Sequence, residues 1–438
     1  MNRALPSSVA ARRVFLDGGF RAATVRIANG VVAAVDAFDV GADVVVDDGH
    51  VLLPGLVDSH VHFNEPGRTA WEGFATGTAA AAAGGVTTVV EMPLNSIPVT
   101  TTPAALAAKR EAAAGQLAVD IAYWGGAVPE NLGSLDTLLD AGVVGVKCFL
   151  APSGIDEFGH LDAAQLERAL AELAERDGLL IAHAELQEHL GDAHGPVFTD
   201  FVASRPPAAE VEAIRRVIDA ARRTDARAHI VHVAAAGALD LVRAAKAEGV
   251  RLTIETCPHY LTLRAEEVPD GQGWFKCCPP IRDGANQDLL WEGVLDGTID
   301  AIVSDHSPAT AELKDNADLG AAWGGISGVQ TGLRAVWTEA RRRGIALERI
   351  VPLFTTGPAG LVRLDRGSIA TGAPAHLAVF DPEAERTLAV DELAYRNRMS
   401  PWVGRRLRGA VVETYLRGER IYTQGAGLLS RNGREVLV

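Results

Sequence analysis

The segment "VDSHVHFNEPGR" at positions 57–68 sets His60 and His62 one residue apart at the end of an apolar run. On an extended chain, residues i and i+2 face the same side, so both imidazoles aim at one point. Two neutral imidazoles on one face can hold a metal ion together. The alternative is a hydrogen-bonded, partly buried histidine pair. Lys147 is the second unusual residue, because it interrupts the apolar run "VVGVKCFL". A lone buried ammonium must pair with a carboxylate or lose its proton. An ion pair would satisfy it. A neutral amine could instead react with carbon dioxide, giving a two-oxygen carbamate able to bridge two metal ions.

The elements that carry these residues follow a regular alternation. Eight apolar, β-rich runs cross the middle of the chain: "GLVDSHVH", "VTTVVEM", "AVDIAYW", "VGVKCFL", "LLIAHAE", "AHIVHVA", "RLTIETC" and "IDAIVSD". Most precede segments of helical character, such as "DAAQLERALAELAERDG" and "AAEVEAIRRVIDAARRTDA". Eight strand–helix alternations predict a parallel (β/α)8 barrel over residues 55–364 rather than a doubly wound sheet. The glycines of "AAGGVTT" precede a strand instead of opening a helix, so no dinucleotide fingerprint is present there. Barrels of this kind carry their chemistry at the C-terminal ends of the strands. His60 and His62 end the first run, Lys147 lies in the fourth, and His183, His232 and Asp305 end the fifth, sixth and eighth. Their joint placement predicts one site able to hold metal. Residues 13–53 and the closing segments show short alternating runs with Gly and Asp between them, an antiparallel pattern. Residues 1–54 together with 365–438 are therefore expected to pair into a small β-sandwich domain.

Composition excludes other classes. Hydrophobic residues make up 48% and charged residues 22%, the balance of a soluble globular enzyme. The net charge of −15 argues against nucleic acid or an anionic membrane as partner. No run has the form of a signal peptide or a membrane span. The four cysteines lack disulfide-framework or zinc-site spacing and read as buried free thiols, so a cytoplasmic location is expected.

The His-x-His pair, strand-four lysine, two later histidines and final aspartate resemble the cyclic amidohydrolases of the amidohydrolase superfamily, a group that includes dihydroorotases, hydantoinases and allantoinases. Within it, "HVHFNEPGRTAWEGFATGTAAAAAGGVTTVVEMPLNS", "KCFLAPSGIDEF", "ETCPHYL", "KCCPPIRD", "VSDHSP" and "AWGGISG" are most similar to the allantoinase branch. The resemblance implies a barrel beside a small β domain, and a homotetramer. It also implies two divalent ions, Zn2+ first, with Mn2+, Co2+, Ni2+ or Fe2+ able to use the same donors. His60 and His62 would hold one ion and His183 and His232 the other. Lys147, carboxylated by carbon dioxide, would bridge them. Asp305 would complete the first site and act as the catalytic acid–base group. Asn64 stands where dihydroorotases carry an arginine for the substrate carboxylate, which implies a neutral ureide, allantoin, opened to allantoate.

Asn64, Asn95, Ser153, Gly154, His259 and Ser307 are further candidates for substrate contact, against the alternative of loop capping and turn chemistry. Arg205 and Glu210 read as surface or interface charges. Three other readings stand beside the main one. Dihydropyrimidine, hydantoin or dihydroorotate could be the ring under the same chemistry. A mononuclear deaminase-type barrel needs no strand-four lysine, and a non-catalytic scaffold would have lost metal ligands.

Overall fold

All eight apolar runs form strands. They are Leu56–Val61, Val86–Glu91, Asp120–Tyr123, Val146–Phe149, Leu179–His183, Arg227–Ile230, Leu252–Thr256 and Ala301–Ile302, in a computed structural model that describes residues 5–437. Neighbours pair in parallel from the first to the third and from the fourth to the eighth. The third run continues past Trp124 as Gly125–Gly126, which pairs with Val146 and Lys147. The His62 amide donates to the His306 carbonyl at 2.7 Å and joins the first strand to the segment after the eighth. The ring is a (β/α)8 barrel.

The helices between strands follow from local chemistry. Ala163–Ala174 begins at Asp162, whose carboxylate accepts from the Gln165 amide at 2.8 Å, while its own amide donates to the Gln165 side chain at 2.9 Å. This capping box satisfies two helix-end groups. The buried positions Leu166, Ala169, Leu170 and Leu173 repeat at the spacing of one helical face. In Phe74–Ala83 a Cβ at Gly77 would lie 2.3 Å from the Phe63 ring. That close approach fixes the chain immediately after His62.

Both ends of the chain enter one nine-stranded sheet. Val51–Pro54 pairs antiparallel with Leu377–Thr387, so the N-terminal segment is stitched to the C-terminal one. Its core includes Val9, Val25, Leu52, Val379 and Tyr415. The alternating pattern predicts antiparallel pairing, and most neighbours obey it. The exceptions are Val44–Val45 and Val51–Pro54, which meet Ser8–Leu16 in parallel. After three antiparallel strands the chain crosses back and lies along the free side of the first, which reverses the expected direction.

One carboxylate joins sheet and barrel. Asp120, the first residue of the third barrel strand, is fully buried. It accepts from Arg417 Nη1 at 2.6 and 2.8 Å, from His376 Nε2 at 3.2 Å and from the Arg434 amide at 3.1 Å. Burial alone would raise its pKa, yet His376 and Arg417 together hold it below the ordinary 3.8. The ionised form therefore stabilises the fold at neutral pH, and that stabilisation is lost as pH falls through the depressed pKa. Asp120→Asn should destabilise the protein by about 3 kcal/mol at pH 7. In denaturant titrations the gap should stay constant through neutral pH and narrow only below 3.8. A gap that narrowed near pH 6 would contradict this assignment.

Candidate active site

The strand ends bring His60, His62, Lys147, His183, His232 and Asp305 together at one end of the barrel, lining a cavity of about 310 Å3. That volume lies at the small end of small-molecule sites. Three of the four imidazoles are held by their outer nitrogens, while Nδ1 of His232 is buried without a partner. His60 Nδ1 donates to Glu255 Oε1 at 2.6 Å, and His62 Nδ1 donates to the Leu94 carbonyl at 3.0 Å. Their Nε2 atoms consequently face Asp305 Oδ1, at 3.1 and 3.5 Å. His183 Nε2 donates to Glu185 Oε2 at 2.8 Å, which turns its Nδ1 to within 3.0 Å of His232 Nε2. One pair of imidazole nitrogens results with a carboxylate between them, and a second pair of histidines lies in hydrogen-bond contact in the same cavity.

Backbone geometry supports this placement. His232 and Asp305 both have φ of 42°, in the left-handed region that disfavours side chains. Each such residue costs about 1–3 kcal/mol and persists where its surroundings over-determine it. Glu210 supplies part of that determination. Its oxygens accept from the amides of Ala234 and Ala235, at 2.7 and 2.9 Å, in the loop that follows His232.

The electrostatics keep the ring nitrogens available. Burial pushes His62 down to about 4 and His232 well below 6.5, so both are neutral. Burial would raise Glu255, but His60 and His229 hold it down at about 2. His183 and Arg205 do the same for Glu185, also at about 2 against burial. Lys147 is buried and, among the described residues, makes no ion pair; its closest polar neighbour is His60 Nε2 at 3.5 Å. Burial pulls its amine down to about 8.

The residues fit a pair of divalent ions. Four imidazoles and the Asp305 carboxylate line one cavity, and His60, His62 and Asp305 can place one ligand atom each within 4.8 Å of one another. A lone buried amine beside them lacks the carboxylate that an ammonium would require.

The remaining candidates divide. Asn95, Ser153, Gly154 and Ser307 line the cavity. The Ser153 hydroxyl, however, is held within its own loop, donating to the Phe158 carbonyl at 2.6 Å. Asn64 is absent from the wall. At φ 63° the chain turns it away, so its amide donates to the Pro308 carbonyl at 3.3 Å and its carbonyl accepts from Asn95 at 3.1 Å. His259 is fully buried with neither ring nitrogen partnered, and also lies outside the wall.

The reading of Arg205 and Glu210 as surface charges is corrected by the structure. Glu210 is 1% exposed, and Arg205 lines the cavity while gripping the buried Glu185. Sequence reasoning also passed over Glu185 and Glu255, although each is a carboxylate in an apolar run, the signal that singled out Lys147. Lys276 and Lys314 went unremarked too. Lys276 donates to the Ala322 carbonyl at 2.6 Å, and Lys314 to the carbonyls of Trp323 and Gly325, fixing the glycine-rich wall opposite the histidines.

Comparison with known proteins agrees with this geometry. The amidohydrolase family matches residues 51–421. An allantoinase of Streptomyces avermitilis is 53% identical over 94% of this chain and 94% of that protein. An allantoinase of Arabidopsis thaliana is 39% identical over 95% of this chain and 88% of its own length. Among solved structures, an L-hydantoinase (dihydropyrimidinase) from Arthrobacter aurescens superposes with a TM-score of 0.93 at 29% identity, covering 99% of this chain and 100% of that one.

Glu255 generates a test of the site. It holds His60 on one side and His229 on the other, at 2.6 and 3.0 Å. Glu255→Ala should weaken binding of divalent metal by about 10–100-fold. Competition titration against a chelator reads this, with melting of the metal-free protein as the control for folding. Unchanged metal affinity in a folded variant would remove the assigned role.

Proposed function

The chain belongs to the amidohydrolase family, and we propose that it hydrolyses the cyclic amide of allantoin to allantoate. The observation that carries this reading is 53% identity to an allantoinase across 94% of both chains. The L-hydantoinase likeness keeps the same reaction on a simpler ring as the second reading.

His60, His62 and Asp305 would hold one divalent ion, His183 and His232 the other, and carboxylated Lys147 would stand between them. Zn2+ suits these donors first, with Mn2+, Co2+, Ni2+ or Fe2+ as alternatives. Such ions acidify water and polarise a carbonyl. The protein's own contribution is placement and proton transfer. Asp305 takes the proton of the attacking water and delivers it to the ring nitrogen released as the C–N bond breaks. The carbamate forms when neutral Lys147 Nζ adds to carbon dioxide and gives up one proton. A buried amine lowered to about 8 is suited to this, because an ammonium has no lone pair to offer.

Residues 55–364 form the catalytic unit in this proposal and residues 1–54 with 365–438 the β domain, in a homotetramer acting on ureides of purine breakdown in the cytoplasm. No helix among the described residues is long and apolar enough to cross a membrane.

Lys147→Ala should lose turnover on the order of a thousandfold, the equivalent of about 4 kcal/mol in the transition state. A short carboxylic acid should restore part of it by occupying the space vacated. Near-normal activity in the metal-loaded variant would refute the bridge.

The substrate is tested by kcat/KM for allantoin, hydantoin, dihydrouracil and dihydroorotate under identical metal loading. A hydrogen bond to a charged donor contributes about 1.5–3 kcal/mol, so rings lacking the ureido tail should trail allantoin by about 10–100-fold. Dihydroorotate should trail as well. Dihydrouracil or hydantoin coming first would favour the second reading.

A further inference from the structure

Arg205 is the one arginine in the cavity wall, and the reaction chemistry above leaves it without a role. It stands at the end of the helix Phe198–Ser204, just before Pro206 and Pro207. Nε and Nη2 form a two-point grip on Glu185, at 3.1 and 2.6 Å. The same Glu185 accepts from His183 Nε2 at 2.8 Å. The guanidinium is thus one carboxylate away from the histidine cluster and lines the same cavity. Its third nitrogen, Nη1, has no hydrogen-bond partner among the described residues, and the side chain is 18% exposed.

We infer that Arg205 Nη1 is the specificity-determining donor for the ureido tail of the substrate, donating to the carbonyl oxygen of that tail. This rests on the allantoin reading above. Charge decides the kind of acceptor. Glu185, fully buried, already engages the guanidinium through both of its oxygens. The pair presents a directed N–H donor with little net charge, which suits a neutral carbonyl better than a carboxylate. The other amine in that part of the wall, Lys276, is turned onto the carbonyls of Ala322 and Gly320, at 2.6 and 3.3 Å. A guanidinium held at two points is rigid, so the third donor loses little entropy when it binds.

The alternative is that Arg205 only steadies Glu185, and through it His183. The two roles separate by substrate. Arg205→Lys keeps a cation against Glu185 but lacks the third nitrogen; Arg205→Gln removes the charge. Wild type and both variants are assayed on allantoin and on hydantoin, which lacks the tail, with metal content and melting temperature recorded for each. The expected result is a 10–100-fold fall in the allantoin-to-hydantoin ratio of kcat/KM in Arg205→Lys, the loss of about 1.5–3 kcal/mol, carried mainly by KM and at full metal content. Arg205→Gln should show the same collapse of the ratio with some additional loss of metal. Parallel falls on both substrates, with the ratio unchanged, would overturn the inference and leave Arg205 as a positioning residue only. Failure of the wild type to turn over allantoin would instead overturn the proposed function, and the inference with it.

Discussion

The site depends on buried carboxylates that hold imidazoles by their outer nitrogens. Glu255 sits between His60 and His229, and Glu185 between His183 and Arg205. An imidazole has two nitrogens, and fixing a proton on one directs the lone pair of the other. Without Glu255 the His60 ring could rotate or take the wrong tautomer, and the convergence on Asp305 would be lost. The same carboxylates are anions in a dry interior and would be unstable there alone. Each is therefore satisfied on two sides. The barrel supplies the rigidity this needs, because Glu255 lies on the seventh strand and its two histidines on the first and sixth.

The opposite wall is built by another device. A loop rich in glycine carries many carbonyls and few side chains, so it needs external donors to keep one shape. Lys276 and Lys314 provide them from positions that are 8% and 3% exposed. Burial pulls Lys314 down to about 7. Two lysines thus serve backbone geometry, while a third, Lys147, has no such partners and is left available for chemistry.

The barrel and its metal-binding character were legible because both leave local signals. Parallel strands buried on both faces read as apolar runs, and a polar residue inside one stands out. What escaped depends on tertiary burial or on backbone exits. Arg205 follows a short helix and precedes two prolines, a context typical of surface turns; only the packing of that helix brings it into the cavity. Asn64 shows the limit of the two-residue period. The strand ends at Val61, His62 still follows its direction, and the left-handed turn at Asn64 then sends the side chain toward Pro308. Glu185 and Glu255 were readable by the logic applied to Lys147, and the asymmetry came from expecting ligands rather than their supports.

Charge balance ties these parts together. Asp305, Glu185 and Glu255 are three buried carboxylates held ionised by their neighbours, against one guanidinium in the cavity wall, the part-exposed Arg205. The excess negative charge needs a nearby cation, and apart from His60, which Asp305 and Glu255 hold above the ordinary 6.5 against burial, the protein's own candidates are poor ones. Burial keeps His62 and His232 neutral and works against the charge on Lys147. Divalent ions would offset the carboxylates without protonating any ligand, and would relieve Lys147 of the need to stay charged. On the proposed function, an uncharged Lys147 would take up carbon dioxide and so add one more anion to the site that would hold the ions. Ions and carbamate would each stabilise the other, so on that proposal the lysine that looks most out of place in its strand would be the residue that lets a second ion bind beside the first.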